Sequence, residues 1–229
     1  MLAANPIQRG ELHRPKVERV EQRFLESEEV ERVLCNVSGE HNESILRLIA
    51  GTGLRKGEAL ALDWWHVDFK KKILRVRWTL SRLNGGLTRT TPKSHNSVRD
   101  IDLAPEVIGL LQKQKKHQQA QKDAAGDQWK EHENAFVFTT PLGAPIEPRN
   151  LLRSVEGATK RSGIEPTGIG VHTFRHSAAT NMLLAGEPIH VVSRILGHDD
   201  IQTTVNIYGH VTATSKRSAL EGLSRRLSS

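Results

Sequence analysis

From Ser27 onward, apolar residues recur at the three- to four-residue interval of an amphipathic helix. Ser27 followed by Glu28 and Glu29 predicts a helix start, because a short polar side chain and early acids suit the free N–H groups there. Val30, Val33 and Leu34 then share one face. Ile45, Leu46, Leu48 and Ile49 predict a second helix closed by Gly51, and a third follows Gly53 with Leu54, Ala59, Leu60 and Leu62 as its apolar positions. The period then changes to two. Residues 73–78 (Ile-Leu-Arg-Val-Arg-Trp) alternate, Asn84-Gly85 is the favoured dipeptide of a tight hairpin, and Ser97 to Leu103 alternate again, so a small antiparallel sheet is expected. Pro105 opens a helix whose apolar positions, Val107, Ile108, Leu110 and Leu111, stop after two turns; Gln112 to Gln121, polar apart from Ala120, is expected to be solvated. Ala135 to Phe138 predict a short strand, and helices are expected near 150–162, 173–185, 188–196, 200–208 and 213–227. The result is a mostly helical α+β domain.

Residues 1–23 have no period and contain Asn5-Pro6 and Arg14-Pro15, the signature of a linker or arm. Charge adds a partner. The 33 Lys and Arg against 26 Asp and Glu give a net charge of +7, which suits an anionic surface such as nucleic acid or a membrane. Nine basic residues and no acid lie between Phe69 and Arg99, with Asp68 and Asp100 just outside. Lys70, Lys71, Lys72, Arg75, Arg77 and Arg89 are the candidate DNA-binding residues in that stretch. The single Cys35 sits beside Val33 and Leu34 and is expected in the core; a lone cysteine excludes an intrachain disulfide, and a reduced, cytoplasmic setting fits. The N-terminus lacks the apolar region of a signal peptide, and nowhere do about eighteen apolar residues run together, so no membrane span is expected.

Two helix starts carry cations that the macrodipole disfavours unless an anion lies in front of them. In residues 51–58 (GTGLRKGE), a cap at Thr52 or Gly53 puts Arg55 in the first turn, with Glu58 placed to orient it. In residues 171–180 (VHTFRHSAAT), a cap at Thr173 crowds His172, Arg175 and His176 at one end. Helix N–H groups beside an arginine fork suit phosphate, and two such starts could clamp one phosphodiester. Singly, each arginine reads more simply as a surface residue that follows a cap; together, in a basic chain with a lone tyrosine, they favour the phosphate site. His172 and His176 also have zinc-ligand spacing, but neither a glutamate between them nor a cysteine pair accompanies them, so no metal is expected. Asp199-Asp200 is read as a helix cap rather than a magnesium site.

Tyr208 is the only tyrosine in the chain. A phenol is a poor nucleophile near neutral pH and needs cations or a base beside it. Attack on a phosphodiester also loads charge onto the non-bridging oxygens and the leaving alkoxide, which calls for an arginine clamp and a proton donor; Lys93, in the turn Thr91-Pro-Lys-Ser94, could be that donor.

In order and spacing, Arg55 within GTGLRKGE, Lys93, His172-Thr-Phe-Arg175-His176, Gly197-His198 and Tyr208 resemble the tyrosine recombinase (phage integrase) family over roughly residues 24–212; His198 lies 23 residues beyond Arg175, and Tyr208 ten beyond that. The resemblance implies that fold, with a small three-stranded antiparallel sheet carrying the lysine turn. It also implies roles. Tyr208 would attack the scissile phosphate, forming a 3′-phosphotyrosyl bond; Arg55 and Arg175 would hold the non-bridging oxygens; Lys93 would protonate the leaving 5′-oxygen. His172 would assist proton transfer at the tyrosine, His198 would hydrogen-bond the phosphate, and Glu58 would brace Arg55. Neither metal nor nucleotide cofactor is implied. The partner would be double-stranded DNA, with a tetramer on DNA, a monomer in solution, and accessory DNA-bending proteins as a further class.

Phe174 stands where many members have leucine. Members usually carry an N-terminal core-binding domain, so residues 1–23 read as the linker after it, 24–212 as the catalytic domain, and 213–229 as a helical tail whose Leu220, Leu223 and Leu227 stripe packs either on its own domain or on a neighbour. Two other readings stay open: a non-catalytic DNA-binding remnant, and a nicking-closing enzyme like the type IB topoisomerases.

Overall fold

A computed structural model describes residues 23–39, 41–92 and 94–208. Lys93, the arm before residue 23 and the tail helix expected at 213–227 lie outside them. Eight α-helices are described: α1 (Ser27–Cys35), α2 (Glu43–Thr52), α3 (Lys56–Leu60), α4 (Pro105–Ala125), α5 (Pro148–Arg161), α6 (Val171–Leu184), α7 (Ile189–Leu196) and α8 (Ile201–Tyr208). Among them run β1 (Val67–Asp68), β2 (Ile73–Val76), β3 (Thr79–Leu83), β4 (Gly86–Thr90) and β5 (Arg99–Asp102).

The core forms around α2. Ile45, Leu46, Leu48 and Ile49 are all fully buried, and the helix packs on α6, α4, α3 and α1. It runs one residue past the expected stop at Gly51 and ends on Gly53, which adopts the left-handed conformation (φ 67°). A side chain there would meet Leu196 Cδ2 at 2.8 Å, so glycine is required both for the turn and for the approach of α7.

The antiparallel sheet is β1-β2-β5, with Leu74 opposite Ile101 and Val76 opposite Arg99. Asn84-Gly85 closes a separate two-stranded hairpin of β3 and β4; both turn residues have positive φ, 49° and 82°, as the tightest hairpin turn demands. Residues 135–138 form no strand. Phe136 makes an isolated bridge to Asp63, and the buried carbonyls around it take donors from α4 instead. Gln114 Nε2 donates to Val137 O (3.0 Å) and Gln118 Nε2 to Phe136 O (2.9 Å), while Trp64 Nε1 donates to Gln118 Oε1 (2.7 Å). The polar half of α4 is therefore not simply solvated: an unpaired buried carbonyl costs about 1–3 kcal/mol, and these glutamines remove that cost. Cys35 is exposed rather than in the core, because the apolar face of α1 turns Val33 and Leu34 inward and leaves position 35 outside.

Candidate active site

α6 begins earlier than the sequence suggests. Its N-cap is Gly170, and Thr173, at the third helical position, accepts the Gly170 N–H on Oγ1 (2.9 Å). Arg175 consequently lies in the second turn, buried to 2% exposure. Arg55 is likewise not inside a first turn but is itself the N-cap of α3, with its N–H donating to Glu58 Oε2 (2.9 Å).

The guanidinium groups meet at the opposite kind of helix end. α7 stops at Leu196 because Gly197 turns left-handed (φ 66°), which leaves the last carbonyls without helical partners. Arg55 Nη1 donates to Leu196 O (3.5 Å) and its Nη2 to Gly197 O (3.1 Å). Arg175 Nη2 donates to the same Leu196 O (2.8 Å), and its Nη1 to Gly53 O (2.7 Å). A third guanidinium, Arg99, donates from Nε to Ile195 O (2.6 Å). Carbonyls at a helix C-terminus favour cations, so α7 gathers three of them despite their mutual repulsion.

Glu58, 4% exposed, stands between two of these arginines. Its Oε1 accepts from Arg55 Nη1 (2.8 Å), and both of its oxygens accept from Arg99 (3.0 and 3.2 Å). Burial pushes its carboxyl upward, but the charge and hydrogen bonds of Arg99, with those of Arg55, outweigh burial and hold it below the usual range. Glu58→Ala is expected to cost about 3–5 kcal/mol in urea unfolding, since it leaves Arg99 buried without its anion. A loss below about 1 kcal/mol would contradict this arrangement.

His198 follows α7 directly. Its Nε2 lies 3.0 Å from Arg175 Nη2 and its Nδ1 2.8 Å from Thr204 Oγ1. An arginine only donates, so Nε2 is the acceptor and the ring proton sits on Nδ1, donated to Thr204. His172 is exposed beside this cluster, with its ring T-shaped against the buried His176 at a centroid distance of 4.6 Å. Burial first, then Arg175 and Arg55, lower the pKa of His198 to about 4; burial, then His172 and Arg175, bring His176 to about 4 as well. His172 is lowered by the same crowding and by Arg175, Arg55 and Lys56.

The rings of His176 and His198 are neutral when folded at neutral pH, whereas the unfolded imidazole binds its proton near pH 6.5. The unfolded state thus holds more protons between about pH 6.5 and 4, and their stabilisation, complete above pH 6.5, is lost as pH falls through that window. At about 1.4 kcal/mol per pKa unit, His176 alone predicts a loss of about 2 kcal/mol by pH 5. Urea midpoints at pH 7.5 and 5.0 measure it, and equal midpoints would refute it.

α8 starts after a short turn in which Asp200 Oδ1 accepts the Gln202 N–H (2.8 Å), the cap expected of the paired acids. Thr204 is fully buried and holds His198. Tyr208 is the last residue of α8, four positions after Thr204.

The basic stretch is less uniform than its sequence. Lys70, Lys71 and Lys72 are exposed in the turn between β1 and β2. Arg75 pairs with Asp68 (3.1 Å) and Arg77 with Asp100 (2.5 Å), acids brought across by the strands. Arg89 turns inward: its guanidinium pairs with the fully buried Asp63, donates to Asn134 Oδ1 (2.6 Å) and lies 4.7 Å from the Trp78 ring. It anchors the β3–β4 hairpin to the body. Arg99 is the residue that the sequence reading passed over. Its only signal is an arginine at an inward position of an alternating strand.

No helix among the described residues is long and apolar enough to cross a membrane, and no cluster of three or more His, Cys, Asp or Glu among them could hold a metal ion.

A model of the phage integrase family matches residues 23–215. A XerC-like tyrosine recombinase of Caldanaerobacter subterraneus subsp. tengcongensis is 34% identical over 206 residues, covering 86% of this chain and 52% of that protein. The ICEBs1 integrase of Bacillus subtilis is 28% identical over 172 residues, covering 75% and 45%. The chain spans about half the length of the curated relatives it matches. Among solved structures, the Tn1549 transposon integrase in complex with transposon right end DNA superposes with a TM-score of 0.76 at 24% identity, over 90% of this chain and 68% of that one. The XerA recombinase gives 0.66 at 23% identity, over 93% and 66%.

Proposed function

Because the chain belongs to the phage integrase family, we propose that it is the catalytic part of a site-specific DNA recombinase, cutting and rejoining duplex DNA through a 3′-phosphotyrosyl intermediate. The observation that carries this reading is the meeting of Arg55 and Arg175 on one carbonyl oxygen, that of Leu196, with His198 beside it. Groups so placed can hold the two non-bridging oxygens of one phosphate. The Tn1549 integrase, of the same fold, is solved with DNA, which supports duplex DNA as the partner.

The Tyr208 hydroxyl gives up its proton with help from His172 and bonds to phosphorus. The bond from phosphorus to the 5′-oxygen breaks, and Lys93 protonates that oxygen. Arg55 and Arg175 stabilise the charge on the phosphate, His198 joins them once its ring proton moves from Nδ1 to Nε2 with Thr204 then donating to Nδ1, and Glu58 keeps Arg55 in place. Reversal by a 5′-hydroxyl from another strand restores the phosphodiester, so the exchange balances without an external energy source. Residues 24–212 form the catalytic unit, working in the cytoplasm as a tetramer on DNA assembled from monomers, with DNA-bending proteins as accessories.

A duplex nicked just beyond the scissile phosphate tests this, since loss of the short strand traps the covalent complex. A protein–DNA adduct that survives denaturation is expected. Duplex binding with no adduct would favour a DNA-binding remnant, and relaxation of supercoiled plasmid without any site requirement would favour a nicking-closing enzyme.

A further inference from the structure

Arg99 takes no part in that reaction, yet it is 9% exposed and fully engaged. Its fork donates to both oxygens of Glu58, to Ser97 O (3.1 Å) and to Ile195 O (2.6 Å). Those acceptors lie on α3, on the turn at 94–97 and on α7. Each also touches the clamp. Glu58 braces Arg55, α7 presents the carbonyls that hold Arg55 and Arg175, and Ser97 Oγ accepts from Arg55 Nη1 (3.3 Å) while lying 2.8 Å from Ser94 Oγ, on the residue after Lys93.

We propose that Arg99 is a positioning residue that locks α3, Ser97 and the end of α7, and with them the phosphate clamp, into one register; this rests on the reading of the site as a phosphodiester-cleaving centre. A second observation points the same way. A side chain at Gly197 would meet Arg99 Nη1 at 2.9 Å, Arg99 Cδ at 3.0 Å and Asn96 O at 2.8 Å, so the end of α7 closes on both Arg99 and the turn. Asn96 Nδ2 also donates to Asp199 O (3.2 Å), tying that turn to the chain entering α8. A buried ion pair contributes little net stability over an apolar pair of similar shape. What Arg99 contributes is geometry: its planar fork reaches three elements at once, whereas a lysine ammonium is a single point with three donors.

The test compares wild type, Arg99→Lys and the double variant Glu58→Gln/Arg99→Met, the last in case the lysine variant does not fold. Each is given the nicked duplex with either an ordinary scissile phosphate or a 5′-bridging phosphorothiolate, whose sulfur leaves without protonation. Arg99→Lys is expected to bind duplex as wild type does and to cleave the ordinary phosphate about 10²-fold more slowly, the cost of a catalytic group misplaced by about 1 Å. The phosphorothiolate should slow by a similar factor, because its phosphate rests on the same clamp whether or not the leaving group needs a proton. Hydrogen exchange of the Ser97 amide should accelerate while core amides of α2 hold. Cleavage of the ordinary phosphate within about threefold of wild type, or a loss confined to the ordinary phosphate, overturns the proposal. If wild type forms no adduct, the functional reading fails; an unchanged Ser97 amide then sinks the positioning role independently of any cleavage.

Discussion

Tyr208→Phe leaves no covalent protein–DNA complex on the nicked duplex, while duplex affinity changes by less than about threefold. Affinity is set by phosphate contacts from basic side chains, none of which the substitution touches. Chemistry should be lost entirely, because in the proposed mechanism the removed atom is the one that bonds to phosphorus. Position 208 ends α8, and no second tyrosine exists in the chain to substitute for it. An adduct formed at undiminished rate by Tyr208→Phe would remove the nucleophile from the account.

Arg175→Ala is expected to slow cleavage by about 10²–10³-fold, the usual cost of removing a fixed donor that stabilises charge in the transition state. It also has a structural cost. Gly53 O loses a buried donor, worth about 1–3 kcal/mol, and Leu196 O keeps only the 3.5 Å contact from Arg55, so the urea midpoint should fall as well. Rates are therefore to be compared where the variant is folded. Arg175→Lys separates the two effects: it keeps the charge but cannot reach Gly53 O, Leu196 O and His198 together, and it should recover more binding than turnover. A folded Arg175→Ala that cleaves at the wild-type rate would place the clamp elsewhere.

Periodicity revealed what depends on neighbours in the chain. The apolar positions of α2, the Asn84-Gly85 turn and the alternation of β2 and β5 were legible because helix, hairpin and strand each impose a local spacing. Arg55, Arg175 and His198 stood out as an ordered set of motifs, and these three side chains do meet at the end of α7. What stayed hidden depends on distant partners. Arg89 sits in a basic stretch like its neighbours, and only Asp63, 26 residues away, turns it inward. Gln114 and Gln118 looked solvated because nothing local shows that residues 136–139 would leave carbonyls unpaired beneath them. The same holds for the clamp. Two cation-bearing helix starts suggested N–H groups and arginines facing one anion, but α6 begins at Gly170, and the guanidiniums reach across to the C-terminal carbonyls of α7. The electrostatic logic is the same, with the sign of the helix end reversed.

The most direct measurement is the crystal structure of Tyr208→Phe bound to a nicked duplex. The scissile phosphate should have its two non-bridging oxygens on the guanidinium groups of Arg55 and Arg175, with His198 in hydrogen-bond contact, at the C-terminal end of α7. A scissile phosphate resting on Lys70 to Lys72, with the arginine cluster still closed on its own carbonyls, would contradict the account.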